Sequence, residues 1–293
     1  MFKLAIYGKR FNDDATKHIK ELFEYLTLIK AQVFINNDFA EFINQKFSID
    51  SSIKLYEKTD KIDSSLDFLI SIGGDGTILD TITSVRDSNV PILGINTGRM
   101  GFLANNNKSE INKAFNKIID NNYKLDRRAL LSLSYKDNEF GKNNFALNEL
   151  TVHRKDSSSM MTVKVFVDGD YLNTYWADGL IVATPTGSTA YSLACGGPIL
   201  TPGSNNFVIT PISSHNLNLR PIVVNDDATI TLKLDGRDKD FLTTLDSRFA
   251  TISKQTTLTI KKANFNINLI QIEGQDFFST IRSKLMWGRD IRN

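Results

Sequence analysis

The chain has 293 residues, enough for two ordinary domains, and its 41% hydrophobic and 23% charged content is that of a globular protein. Basic and acidic side chains number 35 and 33, so the net charge of +2 gives no global field that calls for nucleic acid or an anionic membrane. A single cysteine excludes an intrachain disulfide framework and fits a reducing compartment, and no apolar stretch approaches the roughly 20 residues that span a bilayer.

Up to about residue 120, strand-like and helix-like segments alternate. The opening Met1-Phe-Lys-Leu-Ala-Ile-Tyr-Gly8 reads as a strand rather than a secretory leader, which makes a cytoplasmic protein the expectation. Asn12-Asp13-Asp14 is a helix-start cluster, and Ile19, Leu22, Phe23 and Leu26 mark one face of the helix that follows. Residues 31–35, 66–72 and 90–95 read as further strands, and 112–119 as a helix. Such alternation predicts a Rossmann-like parallel sheet with helices on both faces, in which ligands bind beyond the carboxyl ends of the strands.

Gly73-Gly74-Asp75-Gly76-Thr77 lies at such an end. Glycines there give main chain that a bulky anion can approach closely, and the helix predicted over 77–86 turns its positive end toward the same place. The pattern has neither the Lys-Ser/Thr ending of a Walker loop nor the spacing of a dinucleotide fingerprint. Asp75 repels phosphate, so its expected task is to bind a cation or take a proton. The same five residues also suit a plain strand-to-helix turn in which Asp75 caps the helix.

From about 127 to 272 the rhythm is that of short strands: 130–135, 145–152, 161–167, 171–176, 179–184, 207–211, 228–234, 241–245 and 256–260. Asp168-Gly169-Asp170 reads as a hairpin turn, and the whole region as a β-sandwich or barrel. Residues 275–287 are helical again. The densest cluster is Asp178 to Pro198, where a strand enters the hydroxyl-rich turn Thr184-Pro-Thr-Gly-Ser-Thr189. Small hydroxyl residues let a polar ligand reach the main chain, and Tyr191 offers a ring to a base; a capped corner with Tyr191 in the core is the plainer alternative. Ser188 lacks the nucleophile-elbow pattern and a His–Asp partnership. Asn148-Glu149 ends a strand and carries groups suited to base edges and ribose hydroxyls. His18, His153 and His215 are too scattered for a metal triad, and Cys195 reads as a small filler.

Taken together, Gly73–Thr77, Gly94-Ile-Asn-Thr-Gly-Arg-Met-Gly-Phe-Leu103, Leu147-Asn-Glu149, Asp178 to Pro198 and Ser214-His-Asn-Leu-Asn-Leu-Arg-Pro221 resemble the NAD kinase family. The first motif is shared with phosphofructokinases and with diacylglycerol- or sphingosine-type lipid kinases; the string from Asp178 to Pro198 is far more specific. The resemblance implies the NAD kinase/diacylglycerol kinase-like fold: an α/β N-terminal domain over 1–125, an all-β, sandwich-like domain over 126–274, and a C-terminal segment, 275–293, packing back on the first. It implies transfer of phosphate from ATP to the 2′-hydroxyl of the adenosine ribose of NAD, with a divalent cation, Mg²⁺, and a homo-oligomeric state (dimer or tetramer). A lipid kinase sharing the first motif and a dinucleotide sensor without catalysis are the alternatives.

The residue roles that the resemblance implies are as follows. Asp75 is the general base, and Gly74, Gly76 and Thr77 leave room for the donor phosphates. Asn148 and Glu149 contact the dinucleotide, Asp178 its nicotinamide half. Thr189, Ala190, Tyr191, Ser192, Leu193 and Ala194 line the adenine and ribose pocket, and Thr186 is a further binding residue. Trp176 stands where many members have Arg, Ser159 where several have His or Arg, and Arg248 where several have Gln; the missing arginine leaves a phosphate contact or an inter-subunit contact open, and Arg248 is the expected replacement for its charge.

Overall fold

The computed structural model describes residues 2–98, 101–155 and 160–287, and the chain divides into two compact units, Met1–Arg127 with Ile267–Asn293, and Arg128–Asn266. Each is described separately.

In the first unit, β1 (Lys3–Gly8), β2 (Gln32–Asn36), β3 (Lys54–Tyr56), β4 (Phe68–Gly73) and β5 (Ile92–Asn96) form a parallel sheet in the order β3–β2–β1–β4–β5. All six residues of β4 are buried, as expected of a central strand covered on both faces. Helix α1 (Asp13–Leu28) buries Ala15, Ile19, Leu22, Phe23 and Leu26 in a core shared with Leu4, Ile6, Phe68 and Ile70. Helix α2 (Asn37–Asn44) and strand β3 fall where the sequence shows no clear element. The Asn36 side chain accepts the Phe39 N–H at 3.3 Å, so what resembles a polar loop is an N-cap leading into buried Phe39, Ala40 and Ile43.

Helix α3 (Asp75–Val85) begins two residues earlier than the sequence pattern predicts, with Gly74 as N-cap. A carboxylate in the first helical position complements the helix dipole, which explains the earlier start. Gly8 registers with Ile72 and Gly73 with Asn96, so the carboxyl ends of β1, β4 and β5 lie side by side at the start of α3. Helix α4 (Ile111–Ile119) and the C-terminal helix Phe277–Leu285 complete the unit, which also takes in the last part of the strand Thr257–Ile272, where Leu269 registers with Ile92.

The second unit holds two antiparallel sheets. One runs Ile222–Asn225, Asn206–Ile212, Gly179–Ala183, Glu149–Arg154, Asp240–Leu245, Arg248–Ser253; the other runs Asp170–Ala177, Met161–Val167, Ile230–Gly236 and residues 257–260. Val163 and Val165 from one sheet and Leu150, Val152, Leu180 and Val182 from the other share one core, the alternation a sandwich requires. Asp168 and Gly169, at φ of 53° and 93°, turn the expected hairpin.

The run 145–152, expected as one strand, is two. Phe145–Ala146 pairs with Tyr123–Ser134, while Glu149–Arg154 belongs to the other sheet, and the chain crosses between them at Leu147-Asn148. Ile222–Asn225 and Arg248–Ser253 are additional edge strands, the latter with Phe249 exposed.

Candidate active site

In the glycine turn, a Cβ on Gly73 would lie 2.1 Å from Thr77 Oγ1, and its φ of +153° also disfavours a side chain. Gly74 and Gly76 differ: nothing lies within 4 Å of the place where a Cβ would sit, so the main chain here is open to approach. Thr77 is buried, its N–H donating to Gly74 O at 2.9 Å. The open positions are therefore main chain at 74 and 76 rather than the threonine hydroxyl.

Asp75 is half-buried, and its carboxylate is held by the loop after β5. Phe102 N–H donates to Oδ2 at 2.7 Å; Leu103 and Ala104 N–H donate to Oδ1 at 3.0 and 2.9 Å. A carboxylate has about four lone-pair positions, so among the described residues one direction remains, on Oδ2. The fit is close, since a Cβ on Gly101 would fall 1.8 Å from Asp75 Oδ1. Buried Asn96 ties both ends of this loop: its Oδ1 accepts Gly98 N–H at 2.8 Å and its Nδ2 donates to Ala104 O at 3.3 Å. Asp80, further along α3, is held between Lys9 and Lys58, the latter at 3.6 Å.

In the second unit, the hydroxyl-rich turn is wrapped around Asn148. Thr184 N–H donates to Asn148 O at 2.8 Å, and Thr184 Oγ1 to Leu147 O. A Cβ on Gly187 would sit 2.1 Å from the same Asn148 oxygen, which is why glycine stands there. Ser188 is fully buried, donating to Pro185 O at 2.6 Å and accepting Leu200 N–H at 2.9 Å, so its hydroxyl builds the corner. Thr186 Oγ1 accepts from buried Arg128 at 3.2 Å, Thr189 donates to Thr186 O, and Ser192 shares a 2.8 Å hydrogen bond with Thr210. Ala190 and Leu193 are half-buried, and Ala194 is exposed.

Tyr191 is at the surface, not in the core, with its ring stacked on His153 at 6.0 Å and 19°. Asp178 Oδ1 lies 3.2 Å from Arg154. Burial lowers the His153 pKa, partly offset by Asp178. Glu149 registers with Ala183 at one end of the ladder between Glu149–Arg154 and Gly179–Ala183, while Asp178 precedes the Gly179–His153 pair at the other, and Tyr191 lies along it on His153.

Beneath them sits a residue that the sequence reading passed over. Asp246 is fully buried and accepts the N–H groups of Leu147, Asn148 and Glu149 at 2.9, 2.8 and 3.3 Å. Burial raises its pKa, opposed by Arg248 and the three N–H donors. Glu149 is pushed up to about 8, by burial first and the Asp246 charge second, with a Tyr191 N–H opposing. Of these two carboxyls Glu149 holds the proton, because Asp246 has more groups that stabilise its charge.

Arg248 is committed to the main chain: its guanidinium donates to Asn143 O and Phe145 O, lies over the Phe145 ring at 5.3 Å, and stands 3.6 Å from Asp246. This arrangement differs from the expected phosphate-binding replacement, because two carbonyls and a buried carboxylate satisfy the charge locally. Trp176 is exposed beside Thr174, His215 and Leu217, and Ser159 lies outside the described residues. Cys195 is half-buried, and burial raises its thiol pKa. Among the described residues no helix is long and apolar enough to cross a membrane.

Comparison with known proteins agrees with this division of parts. The model of the ATP-NAD kinase N-terminal domain matches residues 5–123, which hold the glycine turn, and that of the ATP-NAD kinase C-terminal domain matches 147–272, which begin at the Asn148 segment. An NAD kinase of Flavobacterium psychrophilum is 46% identical over 99% of this chain and 100% of its own. An NAD kinase of Bacteroides fragilis is 40% identical over 99% of each. In fold, yeast NADH kinase complexed with NADH aligns with a TM-score of 0.84 at 24% identity, covering 100% of this chain and 89% of that one. An NAD kinase from Archaeoglobus fulgidus in complex with ATP aligns at 0.75 and 24% identity, covering 97% and 99%. With both domain models matched in order and relatives aligned end to end, the chain belongs to the ATP-NAD kinase family.

Proposed function

We propose that the protein is an NAD kinase that transfers the terminal phosphoryl group of ATP to the 2′-hydroxyl of the adenosine ribose of NAD, giving ADP and NADP. The observation that carries this reading is the turn at β4–α3: open main chain at Gly74 and Gly76 flanks a carboxylate with, among the described residues, one acceptor direction left. In this reading Asp75 accepts the proton of the attacking hydroxyl. A carboxylate is a weak base toward an alcohol, but a loose phosphoryl-transfer transition state needs the proton removed only late, and positioning carries most of the rate. Such a base contributes roughly 10²–10⁴-fold.

Gly74, Gly76 and the start of α3 receive the donor phosphates, with the helix dipole favouring their charge. Asn148 and Glu149 hold the dinucleotide, and a protonated Glu149 donates a hydrogen bond there. Asp178 meets the nicotinamide half, and Thr186 and Thr189 to Ala194 the adenosine half, with the exposed Tyr191 ring available for stacking. The available donors suit a divalent cation that arrives on the nucleotide: Asp75 has one acceptor direction left, and Asp80 is already paired with lysines. Mg²⁺ bound this way neutralises phosphate charge.

The match to the ATP-NAD kinase C-terminal domain disfavours a lipid acceptor, and retention of Asp75 disfavours a sensor without catalysis. The proposal extends to a homo-oligomer, supported by Trp176 and Leu217, 57% and 88% exposed in one hollow; sedimentation velocity measures the state. For the activity, purified protein with ATP, Mg²⁺ and NAD is expected to form NADP, read by an NADP-specific dehydrogenase. Phosphorylation of a lipid acceptor with no NADP formed would overturn the reading.

A further inference from the structure

We propose that the turn Asp246-Ser247-Arg248 is a positioning clamp that sets NAD affinity through Asn148-Glu149 without touching NAD. This rests on the reading of Asn148 and Glu149 as dinucleotide contacts. Those two residues stand where the chain leaves one sheet for the other, so the N–H groups of Leu147 and Asn148 have no strand partners in regular register. Buried main-chain donors left unpaired are costly, and a crossing segment without partners has no fixed shape.

Asp246 supplies the partners. One carboxylate collects three consecutive N–H groups, and the Asp246 N–H returns a bond to Glu149 O at 3.0 Å. Asp246 itself takes φ of 54°, a left-handed conformation that is mildly strained for a residue with a Cβ. The strain is held by the turn between Asp240–Leu245 and Arg248–Ser253, whose last pair is Leu245 with Arg248. Arg248 grips the same segment by its acceptors, the carbonyls of Asn143 and Phe145. Donors are thus tied to the carboxylate and acceptors to the guanidinium, and the two ends of the turn face each other at 3.6 Å. Charge-assisted bonds of this kind are about twice as strong as neutral ones. Only the side chains of Asn148 and Glu149 are left to meet a ligand.

The test is steady-state kinetics of Asp246→Asn and Arg248→Lys in the full chain, with NAD and ATP varied separately. The KM for NAD is expected to rise about tenfold in Asp246→Asn, the equivalent of one charge-assisted hydrogen bond, and about threefold in Arg248→Lys, with kcat and the KM for ATP within about twofold. A merely structural role lowers Tm and the yield of folded enzyme and leaves the KM of the folded fraction alone. Hydrogen–deuterium exchange reads the clamp independently of activity: the amides of 147–149 are expected to be protected in wild type and to exchange about tenfold faster in Asp246→Asn. An unchanged KM for NAD in the folded variants, or unprotected amides in wild type, overturns the proposal. If Asp246→Asn does not fold, Arg248→Lys decides by the same criteria. A wild type that makes no NADP overturns the kinase reading instead, and the exchange experiment still judges the clamp.

Discussion

Asp75 in the first unit and Asp246 in the second accept the same kind of bonds, three consecutive main-chain N–H groups each, from 102–104 and from 147–149. In both, one oxygen takes two donors and the other takes one. The difference lies in what meets the second oxygen. Asp246 is wholly buried and faces Arg248 there, whereas Asp75 is half-buried, beside open glycine main chain, with no partner in that direction among the described residues. One carboxylate is used entirely for structure. In the proposed reading the other keeps one acceptor for chemistry, aimed by its three main-chain bonds.

Removing each carboxylate separates the two roles most sharply. Asp75→Asn is expected to lower kcat about 10²–10⁴-fold while calorimetry still detects NAD binding; a loss under tenfold would make Asp75 a second structural carboxylate. Asp246→Ala leaves three buried N–H groups and a guanidinium without their acceptor, and urea unfolding should show a loss of about 3–5 kcal/mol. A loss under about 1 kcal/mol would mean that water or rearrangement replaces the carboxylate.

Gly101→Ala disturbs the Asp75 clasp and keeps its charge. The added methyl overlaps the carboxylate, so kcat is expected to fall about 10–100-fold with little change in Tm. Near-normal turnover would show that the three N–H bonds do not aim the carboxylate. The smallest effect concerns Glu149, whose proton is favoured by burial and by the Asp246 charge and opposed by the Tyr191 N–H. Its folded pKa of about 8 stands above the ordinary value of 4.5, so its favourable contribution is present below about 4.5 and is lost as pH rises toward 8. Urea midpoints of Glu149→Gln should therefore fall less than those of wild type across this window; parallel curves would place the proton elsewhere.

The parallel sheet was legible because continuous apolar runs and helical periodicity are strong signals, and the second unit because alternation such as Val163, Lys164, Val165 is equally plain. The glycine turn was legible because its chemistry is concentrated in five adjacent residues. Asp246 was not, because its partners lie about 98 positions away in sequence, and an Asp-Ser pair between two strands reads only as a hairpin turn. Gly101 appeared within a family motif, but its reason, the carboxylate of a residue 26 positions earlier, is purely spatial. Arg248 was noticed for its charge, but nothing local reveals that its guanidinium donates to the carbonyls of Asn143 and Phe145. The break at Leu147-Asn148 showed locally only as the polar pair Asn148-Glu149, and the partner of its freed N–H groups, Asp246, lies far along the chain.

Parallel steady-state kinetics of Asp75→Asn and Asp246→Asn test the contrast most directly. The account predicts that Asp75→Asn loses kcat with the KM for NAD little changed, and that Asp246→Asn raises the KM for NAD with kcat nearly intact. If both variants lose the same parameter, the division between a chemical and a positioning carboxylate is contradicted.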